Sequence, residues 1–150
     1  VTTLIDEPRL YQKILAVLDL GPDSLHVGMR ARTVAAATGA TVSFLHVVDY
    51  VPIEPIGEIL LPTCEVEQDL ICKSEIRLRE IIEDIGLANA QMFVTSGNKK
   101  REIVRIATAI GSDLIVIGSH KRHGPSIFFN LTEDTVLHTS PCDVLAVRVR

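Results

Sequence analysis

Asp113-Leu-Ile-Val-Ile-Gly-Ser-His-Lys-Arg-His-Gly124 is a short apolar run, rich in β-branched residues, that stops at Gly118 and gives way to a polar, basic loop with a second glycine. A helix-compatible stretch from Asn130 to Thr139 follows. That order reads as strand, exposed turn, helix. In an open parallel sheet, ligands sit in the crevice beyond the strand C-termini. Glycine lets backbone come close to a ligand, and the N-terminus of a following helix favours an anion. This loop is therefore where a nucleotide would bind.

The same alternation extends along the chain. Lys13 to Asp19 is a first strand, broken by Gly21-Pro22. Asp23 or Ser24 is expected to cap a helix whose apolar face uses Val27, Ala31, Val34 and Ala35, with Gly39 as its stop. Thr41 to Val48 is a second strand. Both strands are apolar at consecutive positions, as in strands buried on both faces. Asp49 to Thr63 carries three prolines and reads as an irregular loop. From Glu65 to Ile85, Leu70, Ile71, Leu78, Ile81, Ile82 and Ile85 recur at helical spacing, and Gly86 follows. Gln91 to Thr95 is a third strand, Glu102 to Ile110 a helix, Asp113 to Ile117 the fourth strand and Val144 to Val149 the fifth. Strand–helix alternation with short connections predicts an α/β fold, a single doubly wound domain over residues 1–150 with an N-terminal extension at 1–11.

Composition narrows the function classes. A 47% hydrophobic, 23% charged chain has a globular balance. With no Trp, four Phe and two Tyr, aliphatic side chains must build the core. The net charge of −4 argues against general nucleic-acid binding. No apolar run approaches the ~20 residues that span a bilayer, so no membrane role is expected. Cys64, Cys72 and Cys142 form no C-x-x-C pair, which suits a reducing cytosol.

The loops exclude several chemistries. After the first strand stands Asp19-Leu-Gly-Pro-Asp-Ser24, neither a P-loop nor G-x-G-x-x-G. The third strand ends Val94-Thr95-Ser96, without the aspartate of a phosphoacceptor site. Asp19 could accept a ribose hydroxyl or act as a turn aspartate bonding nearby backbone N–H groups. His46, among apolar neighbours, reads as a satisfied core histidine. His120 and His123 are too few for a zinc site, so no metal is expected. Lys121 and Arg122 could neutralise phosphate. Ser119 and His120 are adjacent in sequence, which does not place them in hydrogen-bond reach, and no nucleophile–base–orienter pattern is present.

Lys13-Ile-Leu-Ala-Val-Leu-Asp19, Val42-Ser-Phe-Leu-His-Val-Val48, Asp113-Leu-Ile-Val-Ile-Gly-Ser-His120 and Ser140-Pro-Cys-Asp-Val-Leu-Ala-Val147, in that order, resemble the universal stress protein family from about Gln12 to Arg150. The resemblance implies a five-stranded parallel sheet of order 3-2-1-4-5 and a cytoplasmic homodimer. Members that bind ATP carry G-x2-G-x9-G-[S/T] after the fourth strand. Gly118 matches its first glycine, Lys121 stands at the second, and Asn130-Leu131 stands near the last pair, one residue early, with Thr132 the nearest hydroxyl. Gly124 keeps a glycine in the loop. The pattern is similar to the branch typified by universal stress protein A, which lacks the ATP motif.

What the resemblance implies is a stress-response protein acting as a non-catalytic dimeric interaction module with a degraded nucleotide loop and no expected cofactor. The dimer would form through strand 144–149, an apolar edge that a two-fold mate would cover. The alternative is a protein that binds ATP or AMP with slow or no hydrolysis. Its candidate pocket is Asp19 at ribose, Val47 at adenine, and Gly118, Ser119, His120, Lys121, Gly124, Asn130, Leu131 and Thr132 toward phosphate. A third possibility, an adenylate-handling enzyme, requires a catalytic constellation that the sequence does not display.

Overall fold

The computed structural model describes residues 10–49, 63–120, 136 and 138–149. Five strands, β1 (Lys13–Val17), β2 (Thr41–Val48), β3 (Gln91–Ser96), β4 (Leu114–His120) and β5 (Asp143–Val149), form one parallel sheet of order β3-β2-β1-β4-β5. Three helices connect them: α1 (Ser24–Thr38), α2 (Thr63–Ile85) and α3 (Lys99–Ile110). Val136, His138 and Thr139 are helical. The rest of the expected helix from Asn130, and nearly all of the expected loop from Asp49 to Thr63, lie outside the described residues.

Side-chain alternation splits the core in two. Ile14, Ala16, Phe44 and Val116 face α1 and α2, burying Val27, Ala31, Leu78 and Ile82. Leu15, Leu45, Val47 and Ile115 face α3 and Val136. Consecutive apolar residues thus serve opposite layers of a doubly wound fold. Gly39 and Gly111 end α1 and α3 in the left-handed conformation, where glycine carries no Cβ penalty.

Several boundaries depart from expectation. β4 does not end at Ile117 but continues through Gly118, Ser119 and His120, which lie in register with Val147, Arg148 and Val149. The ladder to β5 overrides the weak strand propensity of Gly-Ser-His. Gly118 is therefore a strand residue rather than the start of a turn. A Cβ there would lie 3.2 Å from Val27 Cγ2, so the glycine lets α1 pack closely on β4. α3 starts three residues before Glu102, because the Asn98 side chain accepts the Arg101 N–H at 3.1 Å. Leu70, expected inward, is exposed with Val66, while the buried apolar residues of α2 are Leu78, Ile81, Ile82 and Ile85 near its end. Asp23 precedes α1 but makes no side-chain capping bond. Among the described residues no helix is long and apolar enough to cross a membrane.

Candidate functional site

The strand order reverses between β1 and β4, and α1 and α3 leave the sheet on opposite faces there. This switch point opens a crevice at the strand C-termini. It holds a cavity of about 260 Å³. Its floor is apolar, with Val17, Leu18, Val47, Ile117 and Val136. Its mouth is polar, with Asp19, Asp23, Ser24, Lys99 and His120. Small-molecule sites combine these features, an apolar wall and a few convergent polar groups.

The turn after β1 is built around Asp19. Its Oδ1 accepts the Gly21 N–H at 2.9 Å and the Ser24 hydroxyl at 2.8 Å. These bonds hold Leu20 at φ 63°, a left-handed conformation costing a non-glycine residue roughly 1–2 kcal/mol. Asp19 is thus the expected turn aspartate. Its Oδ2 takes no part in those two bonds, and an ionised carboxylate is an acceptor on both oxygens. That oxygen lies 4.0 Å from His120 Nε2, while Asp23 Oδ2 lies 3.8 Å from the same nitrogen. Burial pushes the Asp19 carboxyl up, but the bonds from Gly21 and Ser24, with His120 and Lys99 nearby, outweigh it and hold the carboxyl below the usual range.

His46 sits half-buried on β2, its Nδ1 2.8 Å from the Leu18 carbonyl oxygen. A carbonyl only accepts, so Nδ1 carries the proton and donates. Burial lowers the His46 pKa, with Lys99 adding to the effect, against the raising influence of the Leu18 bond and Asp19. The satisfied core histidine expected from sequence is what stands there. Because the folded pKa is depressed, the unfolded chain takes up the proton first as pH falls. The neutral form's contribution to stability is complete well above the ordinary value of 6.5 and is lost below it. In urea unfolding, the advantage of the native protein over His46→Gln should therefore shrink as pH falls from about 7.5 to about 5.5. An advantage that grows over that interval would contradict this account.

The structure brings Asp19, Val47, Gly118 and His120 around one cavity. Ser119, between two lining residues of β4, is not among its described lining residues. Strand alternation puts it on the opposite side from Gly118 and His120. Lys121, Gly124, Asn130, Leu131 and Thr132 lie outside the described residues. Asp23 and Lys99 were missed as site residues. The signal for Lys99 was Asn98, a strong N-cap residue just after β3, which places Lys99 in the first turn of α3 at the crevice. Among the described residues no cluster of three or more His, Cys, Asp or Glu could hold a metal ion. What the arrangement can do chemically is accept a hydrogen bond from a hydroxyl at Asp19 while an apolar body rests against Val47.

Comparison with known proteins bears on this geometry. The profile of the universal stress protein family matches residues 10–148. Universal stress protein A homolog 1 of Coxiella burnetii (strain RSA 493 / Nine Mile phase I) is 33% identical over 138 residues, covering 91% of this chain and 96% of the relative. Among solved structures, universal stress protein UspA from Lactobacillus plantarum superposes with a TM-score of 0.72 at 21% identity, covering 92% of this chain and 98% of its own. A universal stress protein solved in complex with cAMP gives 0.69 at 23% identity, covering 92% and 97%. At these identities the two structures support the fold alone.

Proposed function

The chain belongs to the universal stress protein family, and from that premise we propose that it is a cytoplasmic stress-response protein acting as a homodimeric interaction module, without turnover, whose nucleotide loop is degraded. The observation that carries this reading is the packing of Gly118. It is the one matching phosphate-motif glycine among the described residues, and its missing side chain is accounted for by Val27 of α1. Retention of that glycine is therefore no argument for a phosphate cradle. Counted from Gly118, Lys121 and Leu131 stand where the motif has its second and third glycines. In this reading Asp19 Oδ2 and Val47, which line the cavity, would serve a nucleoside, and the substitutions at 121 and 131 weaken contacts to phosphate. Mass spectrometry of small molecules released from freshly purified, denatured protein tests this. Stoichiometric ATP would overturn it.

The second reading is a protein that holds ATP or AMP with slow or no hydrolysis. It is favoured by the cavity itself and by the relative of the same fold that was solved with cAMP. Nucleotide that survives purification separates it from the first.

The homodimer is proposed through β5. Among the described residues that strand is the last of the sheet order, paired with β4 on one side, and Val144, Leu145 and Ala146 remain partly or fully exposed. An unpaired apolar edge is a template for another strand, and a two-fold mate would cover it in an isologous contact. Sedimentation at micromolar concentration should give twice the chain mass of 16.4 kDa. A stable monomer would sink the proposal.

A further inference from the structure

We propose that His120 is a proton-operated gate on the cavity: its imidazolium pairs with Asp19 and Asp23 across the mouth and withdraws Asp19 from a hydroxyl-bearing ligand. This rests on the nucleoside end described above. Oδ1 of Asp19 is already occupied by Gly21 and Ser24. Any ligand hydroxyl must use Oδ2, the oxygen that faces His120 Nε2 at 4.0 Å. Asp23 Oδ2, from the start of α1, faces the same nitrogen at 3.8 Å. The gate residue itself lines the cavity. A neutral imidazole has no net charge to hold two carboxylates, so His120 leaves Asp19 Oδ2 to a ligand. A protonated one attracts both, and the ligand must then compete.

The charges around His120 fit this role. The β1–α1 turn supplies Asp19 and Asp23 as the two anions. On the α3 side, Lys99 is a permanent cation that also acts on Asp19. β2 contributes His46, whose pKa is pushed down by burial, so it charges at lower pH. β5 sets Val149 opposite His120, with Arg148 opposite the neighbouring Ser119. Among the described residues that line the cavity, His120 is the imidazole, and histidine is the side-chain type suited to a charge switch near physiological pH. Both contacts are half-exposed, with His120 at 51% and Asp19 at 49% side-chain exposure. Exposed ion pairs are weak, so the gate is graded. Two such pairs correspond to about a three- to tenfold loss of affinity.

The test has two arms on the intact chain. Calorimetry with adenosine at about pH 8 and about pH 5.5 should show affinity falling about three- to tenfold at the lower pH, with a flat profile for His120→Gln. A thermal-unfolding double-mutant cycle of His120→Gln with Asp23→Asn reads the pairing without ligand. It should give non-additive midpoints at about pH 5.5, by about 1–2 °C, and additive ones at about pH 8. Additivity at both pH values overturns the gate. So does coupling at low pH with adenosine affinity that ignores pH, or the same pH profile in His120→Gln. Coupling with no adenosine bound by either protein at about pH 8 overturns the nucleoside reading and the gate built on it, and the surviving coupling identifies which premise failed.

Discussion

Gly28→Val is expected to lower the midpoint of thermal unfolding by about 5–10 °C, from a loss of roughly 2–3 kcal/mol in a chain of this size. Gly28 lies inside α1, where a glycine costs roughly 1 kcal/mol relative to alanine, so its presence needs a reason. A Cβ at this position would sit 2.2 Å from Ile85 Cδ1, 3.2 Å from Ile85 Cγ1 and 3.7 Å from Phe44 Cε1. Ile85 and Phe44 are both fully buried, so neither can swing into solvent to make room. The Arg32 guanidinium also donates to the Ile85 carbonyl at 2.8 Å, which ties α1 to the end of α2 and resists separation of the two helices. Overpacking should therefore outweigh the gain in helix propensity even for Gly28→Ala. Met29→Val, at an exposed position of the same helix, reports the β-branched propensity cost alone. Circular dichroism melts of the two valine variants separate the effects, and a Gly28→Val midpoint within about 2 °C of Met29→Val would refute close packing. Ile85→Val removes the Cδ1 atom, so Gly28→Ala with Ile85→Val should melt higher than the sum of the single effects.

The same contact shows which parts of the fold could be read in the sequence. Val27, Ala31 and Ala35 announce the buried face of α1 by their spacing, and the consecutive apolar residues of β1 and β2 announce burial on both faces. Those signals are local and periodic, so a single chain carries them. That Gly28 must be small depends on Ile85, 57 positions away by numbering, and no periodicity encodes that. The extension of β4 through Ser119 and His120 was hidden for a related reason, since it is imposed by the β5 ladder rather than by propensity. In the site, Asp19, Val47 and His120 were legible because strand ends in a doubly wound sheet must meet at the switch point. Lys99 and Asp23 were not, because the start of α3 is set by the Asn98 side chain rather than by apolar spacing, and Asp23 carries the residue type of a helix cap without making the capping bond. Leu20 was the least legible. Nothing in Asp19-Leu-Gly21 marks leucine rather than glycine as the left-handed residue, and only the two bonds to Asp19 Oδ1 explain it.

Lys121→Gly combined with Leu131→Ser is expected to tighten ATP binding by about ten- to a hundredfold over the native protein, the equivalent of one charge-assisted hydrogen bond or more. Glycine reaches left-handed backbone at little cost and lysine does not, so glycine at 121 is expected to let the chain aim successive N–H groups at a phosphate more readily than lysine. Leucine at 131 offers no hydroxyl to a phosphate oxygen. Counting nine residues on from Lys121 puts Leu131 itself at the glycine place and Thr132 at the hydroxyl place. Lys121→Gly with Leu131→Gly therefore tests that register, and whichever pair gains more identifies the position that matters. For the native protein, Lys121 and Arg122 are expected to act on anions by charge alone, an attraction that salt screens within ~8 Å at physiological ionic strength. Whatever the triphosphate adds over adenosine should thus fade as salt rises, and the phosphate end should not distinguish ATP from GTP. In the revertants the added affinity should persist, since backbone and hydroxyl donors at close range are screened far less. Calorimetry with ATP, GTP and adenosine at low and physiological salt reads all of this at once. Low-micromolar ATP affinity in the native chain that persists at physiological salt, with no gain in either revertant, would mean that the substituted loop still cradles phosphate and that the degraded-loop reading is wrong.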